Sequence, residues 1–176
     1  MPEKQNKIYV IAVSAMMLAL ATVLGFFKIP ITDVLELRFI FLPIACTGML
    51  FGPVVGAEVG ALSDILAYFV KPTGPYFPGF TISAAVAGIL YGLILYRHEI
   101  TWKRLVIAHL LRTILVSFLL NSYWLSVLYG KGFLALLSVR FVKSVAMFPV
   151  EVLMLWFVLR PARKVSLNLM RQPSRE

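Results

Sequence analysis

Lys71–Thr81 reads KPTGPYFPGFT, with three prolines, two glycines, a lysine and three aromatic residues set between two strongly apolar segments, Val54–Val70 and Phe80–Tyr96. Proline removes backbone donors and fixes φ while glycine admits unusual φ, so no helix continues through this stretch. The flanking segments are therefore two separate helices. The stretch itself is either a rigid connection carrying membrane-interface aromatics or the lid of a binding site, because it offers stacking surface beside a cation.

Composition decides what those helices are embedded in. The chain is 60% hydrophobic and 14% charged with mean hydropathy +0.88, more apolar surface than a water-soluble domain of 176 residues tolerates. The expected fold class is all-α, a polytopic integral membrane protein in one membrane domain, residues 1–176. Cys46 is the single cysteine, so the chain forms no internal disulfide.

Upstream, Ile8–Phe27 is long enough to cross a hydrocarbon core of ~30 Å. Ala19-Leu20-Ala21 resembles a signal cleavage site, but the apolar run continues past it through Val23, Leu24, Phe26 and Phe27. Ala12, Ala15 and Ala19 give this first helix a face with little side-chain bulk, suited to close approach by a helix of this chain or another. Lys28–Leu37 is too polar for lipid. Arg38–Phe51 holds a second apolar run short enough to require either a thin bilayer or shielding by protein. Gly52-Pro53 ends it. In the third helix, 54–70, Gly56 and Gly60 follow Gly52 at four-residue steps and Asp64 continues the series, so three small positions and a carboxylate share a face.

Downstream, the helix at 80–96 repeats the pattern with Ala84, Gly88 and Gly92. Helices at 105–129 and 133–159 follow, the last interrupted by Arg140, Lys143, Pro149 and Glu151, and residues 160–176 form a basic tail. Six spans leave both termini on one side of the membrane. Lys4, Lys7, Arg97, Lys103, Arg104, Arg160, Arg163, Lys164, Arg171 and Arg175 lie on that side against Lys28, Lys71 and Lys131 opposite, which places the termini in the cytoplasm and Lys71–Thr81 outside. The net charge of +9 is thus a topology signal beside anionic lipid and needs no nucleic acid.

Depth along each helix ranks the remaining polar groups. Asp64 lies roughly 9 Å below the outer end of the third helix, and Arg140 and Lys143 lie about 10 to 15 Å below the start of the sixth. With Asn121 and Trp124 in the outer half of the fifth helix, these groups converge on an outward-facing cavity beneath Lys71–Thr81. Tyr76, Phe77, Phe80 and Trp124 suit a flat ring, Arg140, Lys143 and Lys71 suit carboxylates, and Asp64 or Asn121 suits ring N–H donors; Arg38 is a further candidate. Arg112, Glu58 and Glu151 fall in the inner half and read as a structural set in which one or both carboxylates pair the arginine. His98 and His109 read as interfacial.

There is no Gly-rich phosphate loop, no zinc-ligand spacing and no Gly-flanked serine nucleophile, so no catalytic residue and no metal site is expected. The chemistry these residues favour is binding.

GMLFGPVVGAEVGALSDIL, KPTGPYFPGFTISAAVAGILYGL, NSYW and VRFVKSVAMFPVE together resemble the folate-family substrate-binding (S) components of energy-coupling factor (ECF) transporters. The likeness extends over nearly the whole chain, and PTGPYFPGF with the upstream Asp64 is its most specific part. It implies a bacterial cell-membrane protein that captures a vitamin outside and docks on a transmembrane coupling subunit carrying two cytoplasmic ATPases. It also implies docking through the alanine face, Ala15 and Ala19 with Ala12 one turn earlier, and loops at Lys28–Leu37 and Lys71–Gly79 that cover the ligand. The chain itself would hold no cofactor and hydrolyse nothing, ATP being used by the partners. Glu58 departs from the expected pattern, which puts a docking face on the third helix in doubt. Folate suits the residues on independent grounds, as a flat pterin joined to an aminobenzoyl ring and a dianionic glutamate. The other readings are an S component for another flat anion, such as riboflavin phosphate or a deazapurine, and a membrane-embedded enzyme or structural subunit.

Overall fold

The computed structural model describes the backbone of residues 7–30, 36–70, 76–129 and 133–171, and their side chains except at 28–30, 36–38, 129, 133–137, 139, 140 and 166–171. Its helices are α1 (Lys7–Phe26), α2 (Phe41–Phe51), α3 (Pro53–Val70), α4 (Pro78–Leu95), α5 (Trp102–Arg112), α6 (Asn121–Tyr129) and α7 (Phe133–Arg171). A π-helical segment, Thr113–Leu120, joins α5 to α6 into one long rod. Five helices or composite helices are long and apolar enough to cross a membrane, and α2 is a shorter apolar sixth. The chain alternates between two ends of the bundle. The N-terminus of α1 and the C-terminus of α7 share the terminal end; the connections after α1, α3 and α6 share the loop end.

The shortness of α2 is resolved by shielding. At ~1.5 Å per residue it spans little more than half a hydrocarbon core. Every residue from Phe41 to Met49, and Phe51, is buried in protein. Gly52 turns the chain at φ +95°, a conformation glycine adopts without strain, and Pro53 opens α3 immediately after it.

Small-residue faces hold α2, α3 and α4 together. A Cβ on Gly56 would lie 2.8 Å from the Gly88 carbonyl oxygen, one on Gly48 would lie 2.9 Å from the Gly92 amide, and one on Gly60 would strike the Ala84 carbonyl. Backbone therefore meets backbone along the glycine and alanine ladders anticipated on α3 and α4, with Gly48 of α2 completing the junction. Helix α1 packs on α2 and α3 but buries only Ala21, and Ala12, Ala15 and Ala19 face away from the bundle, exposed.

Three boundaries differ from the sequence expectation. Lys28–Pro30 (β1) and Glu36–Arg38 (β2) form an antiparallel pair, with Lys28 opposite Arg38 and Pro30 opposite Glu36, so Arg38 belongs to a ribbon and α2 begins only at Phe41. Helix α5 starts at Trp102, three residues early. Helix α7 continues through Pro161 to Arg171 where a tail was expected from Arg160. Proline stops a helix only where its missing hydrogen bond and ring clash are not offset. Here Ala162 packs against the core and Arg163 donates from Nη1 to the His98 carbonyl, tying the continuation to the bundle. Lys71–Pro75 lies outside the described residues, and with it Lys71 and most of the stretch considered as a lid.

Candidate functional site

Two polar clusters stand at different depths, with α4 contributing to both. At the loop end, the α3 face that carries Gly56 and Gly60 ends in Asp64, and the α4 face that carries Ala84 and Gly88 begins with Thr81. Thr81 Oγ1 donates to Asp64 Oδ2 at 2.8 Å and lies 3.0 Å from the Tyr76 hydroxyl. Tyr68, one turn beyond Asp64, meets the Tyr76 ring at 5.1 Å. No cation pairs with Asp64 among the described residues. Its carboxyl group lies instead beside the first turn of α4, where Thr81 supplies the hydroxyl donor.

On the other side of α4, aromatic rings gather around its N-terminus. Phe77 packs on Phe80 with centroids 6.0 Å apart and on Trp124 of α6 at 5.6 Å, and Tyr123 borders Trp124 at 5.0 Å. Trp124 and Phe77 close over Gly79, where a Cβ would come within 2.5 Å of both rings. Trp124 Nε1, in this nest, and Asn121 Oδ1, one turn before it on α6, are buried without a hydrogen-bond partner. An indole N–H and an amide oxygen about a turn apart are thus both dehydrated and unmet.

The predicted ligand residues thus divide. Phe77, Phe80 and Trp124 come together, with Asn121 one turn before Trp124 on α6; Asp64 and Tyr76 form a separate chain with Thr81 across α4. Lys143 is half-buried on α7, with Arg140 three residues before it on the same helix. Arg38 is known by its backbone in β2. Thr81 and Tyr68 escaped the sequence reading, although Thr81 extends the Ala84–Gly88–Gly92 face by one turn just as Asp64 extends the facing one.

The second cluster lies toward the terminal end. His109 is fully buried; its Nδ1 is 3.0 Å from the Tyr91 hydroxyl and its Nε2 is 2.7 Å from Glu151 Oε2. A neutral imidazole satisfies both partners, donating to the carboxylate and accepting from the phenol. Phe41 and Phe148 cover the ring. This corrects two expectations. His109 is a core residue on the face of Leu105, Ala108 and Thr113 and not an interfacial one, and it takes the carboxylate expected for Arg112. Arg112 lies a turn nearer the loop end with Nε buried and unpartnered, and Glu58 is exposed on α3, away from both. Among the described residues no group of three His, Cys, Asp or Glu is arranged to hold a metal ion.

The model of the ECF transporter substrate-specific component family matches residues 10–159. The chain belongs to that family. This makes it a multi-pass membrane protein and a transport component, not an enzyme, that works with partner modules in the membrane. Its relatives include Folate transporter FolT of Clostridium novyi, 37% identical over 151 residues that cover 86% of this chain and 88% of that protein. Folate transporter FolT of Leuconostoc mesenteroides is 30% identical over 151 residues, covering 82% and 81%. A crystal structure of FolT bound with folic acid superposes with a TM-score of 0.76 at 35% identity, over 84% of this S component and 90% of that one.

Proposed function

We propose that this S component binds folate at the loop end, facing outward, and delivers it through a transmembrane coupling subunit driven by two cytoplasmic ATPases. The observation that carries the ligand assignment is the unmet pair on α6, Trp124 Nε1 beside the Phe77 and Tyr123 rings and Asn121 Oδ1 one turn before it. A pterin offers ring N–H donors to the amide oxygen, an acceptor to the indole N–H and a flat face to the rings. The names of the FolT relatives support the same ligand.

Arg140 and Lys143, with Lys71 and Arg38 as further cations, are the candidates for the glutamate carboxylates nearer the mouth. Asp64, the other acceptor on offer, already has one oxygen engaged by Thr81. Docking falls to the outward alanine face of α1, where Ala12, Ala15 and Ala19 leave room for a partner helix to approach closely. ATP is consumed by the partners, and this chain carries no cofactor.

Mass spectrometry of the protein purified in detergent, followed by calorimetry with folate, tests the ligand. A co-purifying pterin near one per chain, or tight binding of added folate that weakens at least tenfold in Arg140→Ala and Lys143→Ala, is the expected result. An empty protein that stays empty with folate overturns the assignment.

A further inference from the structure

With the Asp64 carboxyl oxygen as acceptor, the chain Tyr76–Thr81–Asp64 has one arrangement of protons. Thr81 has a single hydroxyl hydrogen and spends it on Asp64 Oδ2, so the 3.0 Å contact with Tyr76 requires the phenol to donate to Thr81 Oγ1. Three residues from α3, from α4 and from the segment before α4 are thereby linked in a fixed order, and Tyr68 holds the Tyr76 ring from the side.

Phe77 follows directly in extended backbone, φ −129° and ψ 114°. Neighbouring side chains on extended backbone point to opposite sides. Tyr76 accordingly turns toward Asp64, while Phe77 turns across α4 toward Trp124. Phe77 is held through its carbonyl, which accepts from the Phe80 amide at 3.1 Å, and the grip on its bonded neighbour Tyr76 adds a second hold on its position.

We infer that the Tyr76–Thr81–Asp64 chain is a brace that positions Phe77 against Trp124, and that Asp64 serves ligand binding through this brace and not by touching the ligand. The inference rests on Phe77 and Trp124 being walls of the binding site. Thr81 and Asp64 are then positioning residues. Their carboxylate–hydroxyl link needs an acceptor at Asp64 and a donor at Thr81, but no negative charge.

The test has one readout without ligand and one with it. The chain holds three tryptophans, and Trp102 and Trp156 pack on each other at the terminal end, so Trp102→Phe/Trp156→Phe leaves Trp124 as sole reporter. In that background Thr81→Val, Tyr76→Phe and Asp64→Ala are expected to red-shift Trp124 emission and raise its quenching by acrylamide. Thr81→Ser restores both. Folate affinity falls about tenfold in Thr81→Val and in Asp64→Ala, the scale of one lost hydrogen bond. The double variant falls no further than either single one, because both cut the same chain. Asp64→Asn, whose amide oxygen still accepts from Thr81, stays within about threefold of the parent.

Additive losses, or Asp64→Asn as damaging as Asp64→Ala with Trp124 emission unchanged in Thr81→Val, would overturn the brace and make Asp64 a direct ligand group. Emission shifts as described in a protein that binds no folate would uphold the brace and refute the ligand assignment instead. Size-exclusion profiles matching the parent confirm that each variant is folded.

Discussion

The cluster around His109 and the nest around Trp124 share α4 and the α5–α6 rod and are both lined by aromatic rings, yet they end in opposite states. Tyr91, His109 and Glu151 complete one another, enclosed by Phe41 and Phe148 against a core that includes Leu95, Leu105 and Leu155. Asn121 and Trp124 are also dehydrated, Trp124 beside rings, but the polar atoms named above meet nothing. In a bilayer an unmet polar group costs more than in a water-soluble protein's surface layer, since no solvent stands by to repair it. On the folate-binding reading, a closed circuit at one depth and an open one at another mark the difference between holding the bundle together and receiving a ligand. Arg112 Nε and Thr113 Oγ1, about a turn along the rod from His109, and Ser83 Oγ on α4 are unmet as well.

Variants can break that contrast. The largest effect is expected from His109→Ala, which strands Glu151 in the core and costs about 3 kcal/mol of stability. A large fall in melting temperature in detergent, with folate affinity of the folded fraction within threefold of the parent, would bear it out. Trp124→Ala should do the converse. Folate affinity drops by about 1–3 kcal/mol, the range for loss of one stacking partner, while the ligand-free melting temperature stays within a few degrees. Smallest is Tyr91→Phe, which removes one donor to His109 and should cost about 1 kcal/mol in a melting curve and nothing in folate binding. If Tyr91→Phe weakened folate instead, the two clusters would be one network and the contrast would fail.

Much of this was legible from residue spacing. The glycine and alanine steps on α3 and α4 marked both faces for close helix packing, though not as each other's partner, because interval and bulk decide which faces can close up. The brevity of α2 left a thin bilayer or shielding by protein, and the burial of Phe41–Met49 decides for shielding. What resisted was non-local. The Lys28–Arg38 ribbon depends on pairing between strands that show no alternating pattern of their own, and the helix past Pro161 depends on Arg163 reaching a carbonyl 65 residues away. His109 was misplaced because depth was counted from the helix end without its phase. Leu105, Ala108, Thr113 and Val116 share its buried face and would have corrected the error. For the site, the aromatic residues were recognisable by type, while Thr81 was missed because a threonine on a small-residue face looks like one more small residue.

The π-helical segment Thr113–Leu120 carries a consequence in rotation. Leu105 and Tyr123 are eighteen residues apart, five full turns of α-helix, so an undistorted helix would aim both inward. Leu105 is fully buried, whereas Tyr123 is 54% exposed. Wider π winding advances less per residue, and over eight residues α6 falls behind by roughly a third of a turn. That lag swings Tyr123 out to the periphery and brings Asn121 and Trp124 round to the interior. How the rod is wound thus decides, as much as which residues it carries, that Asn121 and Trp124 turn inward while Tyr123 turns out.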